Sequence, residues 1–254
     1  MDTDTENMEK KSSKSTNENI NIITIDGPAG SGKSTIAKML AKEMGLVYID
    51  TGAMYRALTL IALENNIDLN DGKAILKAAK KTTLEFDKSV GDINQYTKVL
   101  LNGKDITLDI RSKKVGEAVS IVSKLSEIRK YLVRLQRDMA LKNPCVLEGR
   151  DTGSVVCPSA VCKIFLTASI DERVKRRGKQ LFENSQLSSK KEIKSEIESR
   201  DKIDSSREDS PLVIPDGAVV IDTSNMAVKD VFNSIKNNYI KKINCPNNKP
   251  ASDK

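Results

Sequence analysis

The sequence contains no histidine and no tryptophan among its 254 residues, and aromatic side chains make up only 4% of it. Without histidine, Ser-His-Asp triads, histidine general bases and histidine-ligated zinc sites are excluded. The scarcity of aromatic rings leaves few platforms on which nucleic-acid bases could stack. Any catalysis must therefore depend on Lys, Arg, Asp and a bound metal ion.

Long apolar runs are also absent. No segment approaches the roughly eighteen residues that a membrane-spanning helix needs, and the amino-terminal region has no apolar core like that of a signal peptide. Its first ten residues carry acids at positions 2, 4, 6 and 9, which is atypical of an organellar transit peptide. We therefore expect a cytoplasmic protein with no membrane partner.

Cysteine is sparse and unpatterned, since Cys145, Cys157, Cys162 and Cys245 show no C-x-x-C spacing. We expect reduced thiols rather than disulfides or zinc ligands. The net charge of +7 suits polyanionic ligands, but Lys and Arg are spread along the whole chain. A nucleic-acid partner is therefore not predicted.

The chain is long enough for one large domain with inserted segments, and we expect it to be a monomer. Residues 1–18 and 244–254 are strongly polar, so both are predicted to be disordered tails. Residues 19–243 between them are predicted to form the domain. Its core is expected at 19–65, 126–170 and 212–243, with insertions at about 66–125 and 171–211.

Short apolar segments alternate with helical patterns through the core. The predicted strands are 20–26, 46–50, 145–149, 162–166 and 218–222. Apolar residues at helical spacing, such as Ile36 and Leu40, follow the first strand, and a helix is predicted over 53–64. This alternation predicts an α/β fold with a parallel sheet covered by helices on both faces, whose ligands bind beyond the carboxyl ends of the strands.

The two insertions differ in pattern. In the first, strand-like segments at 83–87 and 98–101 flank a turn-rich stretch, and Asn102-Gly103 is a strong type I′ hairpin signal, so a small antiparallel sheet is predicted. The second is charged and largely helical, a pattern that usually forms a solvated face. Its arginines nevertheless recur where a lid over phosphates would need them: Arg173, Arg176, Arg177, Arg200 and Arg207.

The segment Gly27-Pro28-Ala29-Gly30-Ser31-Gly32-Lys33-Ser34 matches G-x-x-x-x-G-K-[ST] between the first predicted strand and its helix. Backbone N–H groups of such a loop point at a phosphate chain, where Lys33 adds a positive charge and the Ser34 hydroxyl can ligate Mg²⁺. The loop predicts a nucleotide but not the acceptor of its phosphoryl group. A kinase should also bring arginines from separate segments to the loop.

Four segments in unbroken order closely resemble the bacterial cytidylate kinases, which are P-loop nucleoside monophosphate kinases. They are Gly27 to Thr35, Asp50-Thr51-Gly52-Ala53-Met54-Tyr55-Arg56, Glu148-Gly149-Arg150-Asp151-Thr152-Gly153, and Ser199-Arg200-Asp201 with Asp204, Arg207 and Ser210-Pro211-Leu212. The resemblance implies a P-loop NTPase fold with an inserted acceptor-binding region and a helical lid. It also implies phosphorylation of CMP and dCMP by ATP, with Mg²⁺.

The resemblance further implies a role for each matching residue. ATP is held by Gly27, Pro28, Ala29, Gly30, Ser31, Gly32, Lys33, Ser34 and Thr35, and Ser34 contacts Mg²⁺. The acceptor CMP is contacted by Thr51, Arg56, Ser120, Arg129, Arg150, Asp151, Arg200, Asp204 and Arg207. Lys33, Arg150 and Arg200 are the implied catalytic residues. Asp50, Glu148 and Asp151 all fall near the loop as further Mg²⁺ ligands, and the choice among them stays open.

Two alternatives stay open. Another small P-loop kinase would act on UMP, AMP or shikimate, although the hairpin insertion and the Gly149-Arg150-Asp151 segment favour the cytidylate kinase resemblance. A non-catalytic nucleotide switch is the other. It is disfavoured because Asn102-Gly103-Lys104-Asp105 does not have the order of the guanine-reading N-K-x-D motif, and because a switch has no use for acceptor-side arginines.

Overall fold

A computed structural model of the chain describes residues 21–87, 96–183 and 188–244. The two predicted tails lie outside these ranges, except for Asn244, which is the last residue of the final helix. Cys245 and most of the turn-rich stretch before residue 96 also lie outside them.

The elements follow one another in an alternating order. They are β1 (Ile22–Asp26), α1 (Lys33–Met44), β2 (Val47–Asp50), α2 (Thr51–Glu64), α3 (Gly72–Ala79), β3 (Leu84–Phe86), β4 (Val99–Leu101), β5 (Lys104–Asp105), α4 (Lys113–Val122), α5 (Ser126–Ala140), β6 (Cys145–Gly149), β7 (Cys162–Thr167), α6 (Ile170–Glu183), α7 (Lys190–Ser206), β8 (Val219–Asp222) and α8 (Val228–Asn244). A 3₁₀ turn spans Asp109–Arg111 and a single π-helical turn spans Thr152–Val156.

The central sheet has five strands in the order β2-β6-β1-β7-β8, and every neighbouring pair is parallel. Alternate residues of β1 enter different apolar clusters. Ile22 packs with residues of α2 and α5, whereas Ile23 and Ile25 pack with residues of α1 and α8. A strand that is buried on both faces needs the continuous apolar sequence seen here, so the predicted α/β fold with a covered parallel sheet is confirmed.

The insertion after α2 forms the predicted antiparallel sheet, with the strand order β3-β4-β5. Asn102 and Gly103 have φ values of 50° and 78°, and a positive φ at both central residues is the mark of a type I′ turn. Val99 and Ile106 of this region pack on Ala53 and Ala57 of α2. Helix α2 therefore joins the insertion to the core.

The charged segment after β7 forms the helical pair α6 and α7, which packs around Val174, Leu181, Ile193 and Ile197. Helix α7 begins with a capping box between Ser189 and Glu192, which satisfies backbone donors at its first turn. How the elements divide into core, insertion and lid stays a prediction.

Register places the candidate residues at one edge of the sheet. Asp26 at the end of β1 lies beside Gly149 at the end of β6, and Asp50 at the end of β2 lies beside Glu148.

The three cysteines of the described ranges are buried free thiols, as predicted. Within the same ranges, no helix combines the length and the apolar character needed to cross a membrane.

Candidate active site

The glycine-rich loop between β1 and α1 is held partly by contacts within itself. Lys33 Nζ donates to the Pro28 carbonyl oxygen at 2.6 Å and to Ser31 Oγ at 3.3 Å. A Cβ on Gly27 would lie 2.0 Å from the carbonyl oxygen of Leu166, so only glycine fits there. Burial and then the nearby Arg150 guanidinium lower the pKa of Lys33. An anion bound in the loop would therefore relieve a crowded positive charge.

A buried carboxylate lies next to the loop, at the end of β6. Glu148 accepts a hydrogen bond from Ser34 Oγ at 2.7 Å and a very short one from the Tyr48 hydroxyl. Burial, followed by the charge of Asp50, raises the pKa of Glu148. A hydroxyl and a carboxylate at this separation are hard oxygen ligands of the kind that Mg²⁺ takes.

A cavity that is open to solvent extends from the loop across the carboxyl edge of the sheet. Its cationic lining comes from the loop, α2, the 3₁₀ turn, the end of β6 and both lid helices: Lys33, Arg56, Arg111, Arg150, Arg177 and Arg200. Only three acids join them, Asp50, Glu148 and Glu196. The excess of positive charge favours an anionic ligand.

The arginines of the cavity oppose one another's positive charge. Burial and then Arg200 lower the pKa of Arg56, and burial and then Arg150 lower the pKa of Arg200. Within the described residues, the Arg56 Nη1 atom donates a single weak hydrogen bond, to the Ile110 carbonyl oxygen at 3.4 Å. Planar guanidinium groups match phosphate oxygens in pairs, so this end of the cavity is suited to a phosphate.

A second group of charged residues lies beside the cavity and is buried. Arg129 of α5 pairs with Asp151 at 2.5 Å, and its guanidinium lies 5.2 Å from the centre of the Tyr55 ring. Burial, the largest single effect, lowers the pKa of Arg129, but the combined effects of Asp151, Tyr55 and Asp204 raise it overall. The Tyr55 hydroxyl is buried without a hydrogen-bond partner.

Asp204 near the end of α7 joins three arginines. Its carboxylate accepts from Arg150 Nε at 2.9 Å, lies 3.4 Å from Arg207 Nη1 and lies 4.0 Å from Arg200 Nε. Burial raises the pKa of Asp204, but the arginines, Arg150 first, lower it more. The lid is thereby tied to the segment after β6.

The structure brings together only part of the predicted site. Among the residues predicted there, the cavity is lined by Ala29, Gly30, Lys33, Ser34, Arg56, Arg150 and Arg200. The remaining acceptor-side residues are not in that lining: Thr51, Ser120, Arg129, Asp151, Asp204 and Arg207. Four of them form pairs instead, Arg129 with Asp151 and Arg207 with Asp204.

Three of these residues have distinct environments in the structure. Thr51 is buried, and its hydroxyl donates to the Glu148 carbonyl oxygen at 2.6 Å, so it is used within the protein. Ser120 is half-buried in α4. Arg207 lies just beyond α7 with an extended backbone, so it does not share a helix face with Asp204. The pair forms nevertheless, because the chain turns there.

The sequence reasoning also missed residues that shape the site. Arg111 pairs with Asp50 at 3.4 Å and stacks on Tyr96 at 4.1 Å from the ring centre. Arg173 pairs with Asp201 and donates to the Ala29 carbonyl oxygen of the loop at 3.4 Å. No motif marks Arg111. Arg173 lies in the arginine-rich segment that is predicted to form a lid, but the sequence assigns it no role of its own.

The parallel sheet, the glycine-rich loop before α1 and the cationic cavity define a P-loop kinase. A family model described as cytidylate kinase matches residues 23–242, which is most of the chain. The chain belongs to the cytidylate kinase family, and the family and enzyme class predicted from the sequence are confirmed.

Curated relatives carry the same name. The chain is 47% identical over 213 residues to the cytidylate kinase of Lactobacillus johnsonii, which covers 84% of this chain and 91% of that protein. It is 44% identical to the cytidylate kinase of Caldanaerobacter subterraneus, with 84% and 92% covered. It is 47% identical to that of Desulforamulus reducens, with 84% and 94% covered.

Proposed function

We propose that the protein transfers the γ-phosphoryl group of ATP to CMP and dCMP and forms CDP and dCDP. The observation that carries this proposal is the cavity in which Arg56, Arg150 and Arg200 face Lys33 of the glycine-rich loop. A phosphate acceptor opposite a phosphate donor accounts for cations on both sides of one space. The names of the curated relatives support a cytidine acceptor.

On the donor side, the loop 27–35 would bind the phosphates of ATP through its backbone N–H groups and Lys33. Ser34 and Glu148 fit a Mg²⁺ ion, because their oxygen atoms lie 2.7 Å apart. No cluster of three or more Asp, Glu or Cys side chains suited to a metal occurs in the part of the chain that the structure describes. This suits Mg²⁺, which in kinases is held by one or two carboxylates together with substrate phosphates.

On the acceptor side, Arg56 and Arg150 would bind the CMP phosphate, since both line the cavity. Arg129, Asp151 and Arg207 would contact the base, together with Ser120. Thr51 would complete this site, and Arg200 and Asp204 would contact the ribose and phosphates. Because Asp204 now pairs with Arg150, the nucleotide must exchange contacts with the lid when it binds.

The reaction requires positioning more than proton transfer. The second pKa of a phosphate monoester is about 6, so the acceptor oxygen is already a nucleophile near neutral pH and no general base is needed. Lys33, Arg150 and Arg200 would hold the two phosphates in line and stabilise the charge on the transferred group. Closure of α6 and α7 would exclude water, which competes as an acceptor.

A coupled assay of ADP formation with CMP, dCMP, UMP and AMP tests this proposal. CMP and dCMP should give the highest kcat/KM. Faster turnover with AMP, or no turnover with CMP and dCMP, would contradict it and favour another small P-loop kinase. ATP binding without transfer to any acceptor would favour the nucleotide switch. The monomeric state and the cytoplasmic location stay predictions, and size-exclusion chromatography tests the first.

A further inference from the structure

The segment that carries Arg150 and Asp151 ends in the π-helical turn Thr152–Val156. The first N–H groups of any helical turn have no partner within it, and a side chain usually caps them. Asp151 precedes this turn, but its side chain does not cap it, because the carboxylate pairs with Arg129. Another group must therefore satisfy these donors.

Asp26, the last residue of β1, supplies the cap from across the sheet. Its Oδ1 atom accepts from the Thr152 N–H and from Thr152 Oγ1, both at 2.8 Å, and its Oδ2 atom accepts from the Gly153 N–H at 2.7 Å. Asp26 is completely buried, and an ionised group is retained in such a place only if it is bonded. Both of its oxygen atoms are used to hold the turn.

Arg137 of α5 holds the other end of the turn. Its Nε atom donates to the Val156 carbonyl oxygen at 2.8 Å, and its Nη2 atom donates to the Val155 carbonyl oxygen at 2.7 Å. A negative group at the first N–H donors and a positive group at the last carbonyls both complement a helical turn. The turn is thus clamped by β1 on one side and α5 on the other.

The clamp also sets how closely the turn approaches β1. A Cβ on Gly153 would lie 2.7 Å from Thr24 Oγ1 and 3.2 Å from Asp26 Oδ2. There is no space for a side chain, so the backbone is seated directly against the strand that leads into the ATP loop. Three residues before Gly153, Arg150 enters the cavity.

We infer that Asp26 and Arg137 are positioning residues, which clamp the turn after Asp151 and so aim Arg150 and Asp151 at the acceptor nucleotide. Neither residue lines the cavity, so both act through the segment that they hold. The inference rests on the proposed function, because the acceptor is taken to be CMP. Asp26 directly precedes the ATP loop, yet by this inference it affects the binding of CMP.

The test compares binding of CMP with binding of a non-hydrolysable ATP analogue by isothermal titration calorimetry. In Asp26→Asn, the NH₂ group of the new side chain replaces one accepting oxygen atom. It must therefore face an N–H donor of the turn, with which it cannot form a hydrogen bond. The Kd for CMP should rise about tenfold or more, since misplacement of a binding group by about 1 Å is costly. The Kd for the ATP analogue should stay within about twofold. A merely structural defect would instead lower the number of binding sites and leave the Kd of the folded fraction unchanged.

Arg137→Gln is the second variant, and it keeps the test valid if Asp26→Asn does not fold, because Arg137 is an exposed residue. Arg137→Gln should also raise the Kd for CMP, but by less than Asp26→Asn does. Arg134→Gln, at an exposed position of α5, is the matched control, and it should bind CMP normally.

Two outcomes would overturn the inference alone: equal CMP affinity in the original chain and the folded variants, or an equal loss of affinity for CMP and for the ATP analogue. If the original chain did not bind CMP, the proposed function and the inference would fail together.

Discussion

The donor and acceptor halves of the site are built in opposite ways. The donor loop is one continuous segment, and its Ser31 and Lys33 side chains bond to groups at most five positions away in the chain. The acceptor half depends on pairs that are far apart in the chain, with 22 positions between Arg129 and Asp151 and 54 between Arg150 and Asp204. Substitutions in the donor half should therefore change chemistry with little effect on stability. Those in the acceptor half should affect both.

The largest expected effect is that of Lys33→Ala on turnover. Removal of a preorganised cation from a transferred phosphoryl group should lower kcat by about 10³-fold. The free energy of unfolding should change by less than about 1 kcal/mol, since burial already disfavours the ammonium. Steady-state kinetics and urea unfolding measure the two effects.

Lys73→Ala, at an exposed position of α3, is the control and should match the original chain in both measurements. A loss of stability as large as the loss of activity in Lys33→Ala would show that the donor loop is a structural element as well, and the contrast between the halves would fail.

The next effect is one of stability in the acceptor half. Arg129→Met would leave Asp151 buried without its ion-pair partner, and breaking a buried pair in this way costs about 3 kcal/mol or more. Urea unfolding should show this loss. Arg134→Met, at an exposed position on the same helix, should change stability by less than about 0.5 kcal/mol. Equal midpoints of urea unfolding for the two variants would mean that the stability of the acceptor half does not depend on the Arg129–Asp151 pair.

Arg56→Ala should have a smaller and purely functional effect, because the part of the chain that the structure describes gives Arg56 one weak bond, to a carbonyl oxygen. Loss of a charge-assisted hydrogen bond should raise the KM for CMP about tenfold or somewhat more. The KM for ATP should stay unchanged. Arg56→Lys keeps the charge but not the planar fork, so its KM for CMP should be intermediate. An unchanged KM for CMP in Arg56→Ala would contradict the proposed acceptor site.

The same contrast explains what the sequence could predict. The donor loop and the five strands are local features, because glycine spacing and apolar runs are visible within a few residues. The pair Arg111–Asp50 could not be predicted, since it requires the insertion to fold back onto the end of β2. The bond from Tyr48 to Glu148 depends on the register between β2 and β6, which no short segment specifies.

Asp26 shows the limit most clearly. A charged residue at the end of a fully buried apolar strand is unusual, and that signal is present in the sequence. Its partners, however, lie 126 and 127 positions away, so the sequence could mark the residue but not its role. Residues that act through backbone groups of a distant turn leave no spacing pattern of their own.

The smallest effect is expected for Ser31→Ala in the donor loop. Ser31 Oγ donates to the Pro28 carbonyl oxygen at 3.0 Å, but that oxygen also accepts from Lys33 Nζ at 2.6 Å. Removal of the hydroxyl therefore leaves no buried acceptor without a donor, and the free energy of unfolding should fall by less than about 1 kcal/mol. The positive φ values of Gly30 and Gly32 keep the shape of the loop independently of this side chain. Turnover should consequently stay within about fivefold of the original. A loss of unfolding free energy as large as that of Arg129→Met would show that the donor half, too, depends on its side-chain contacts.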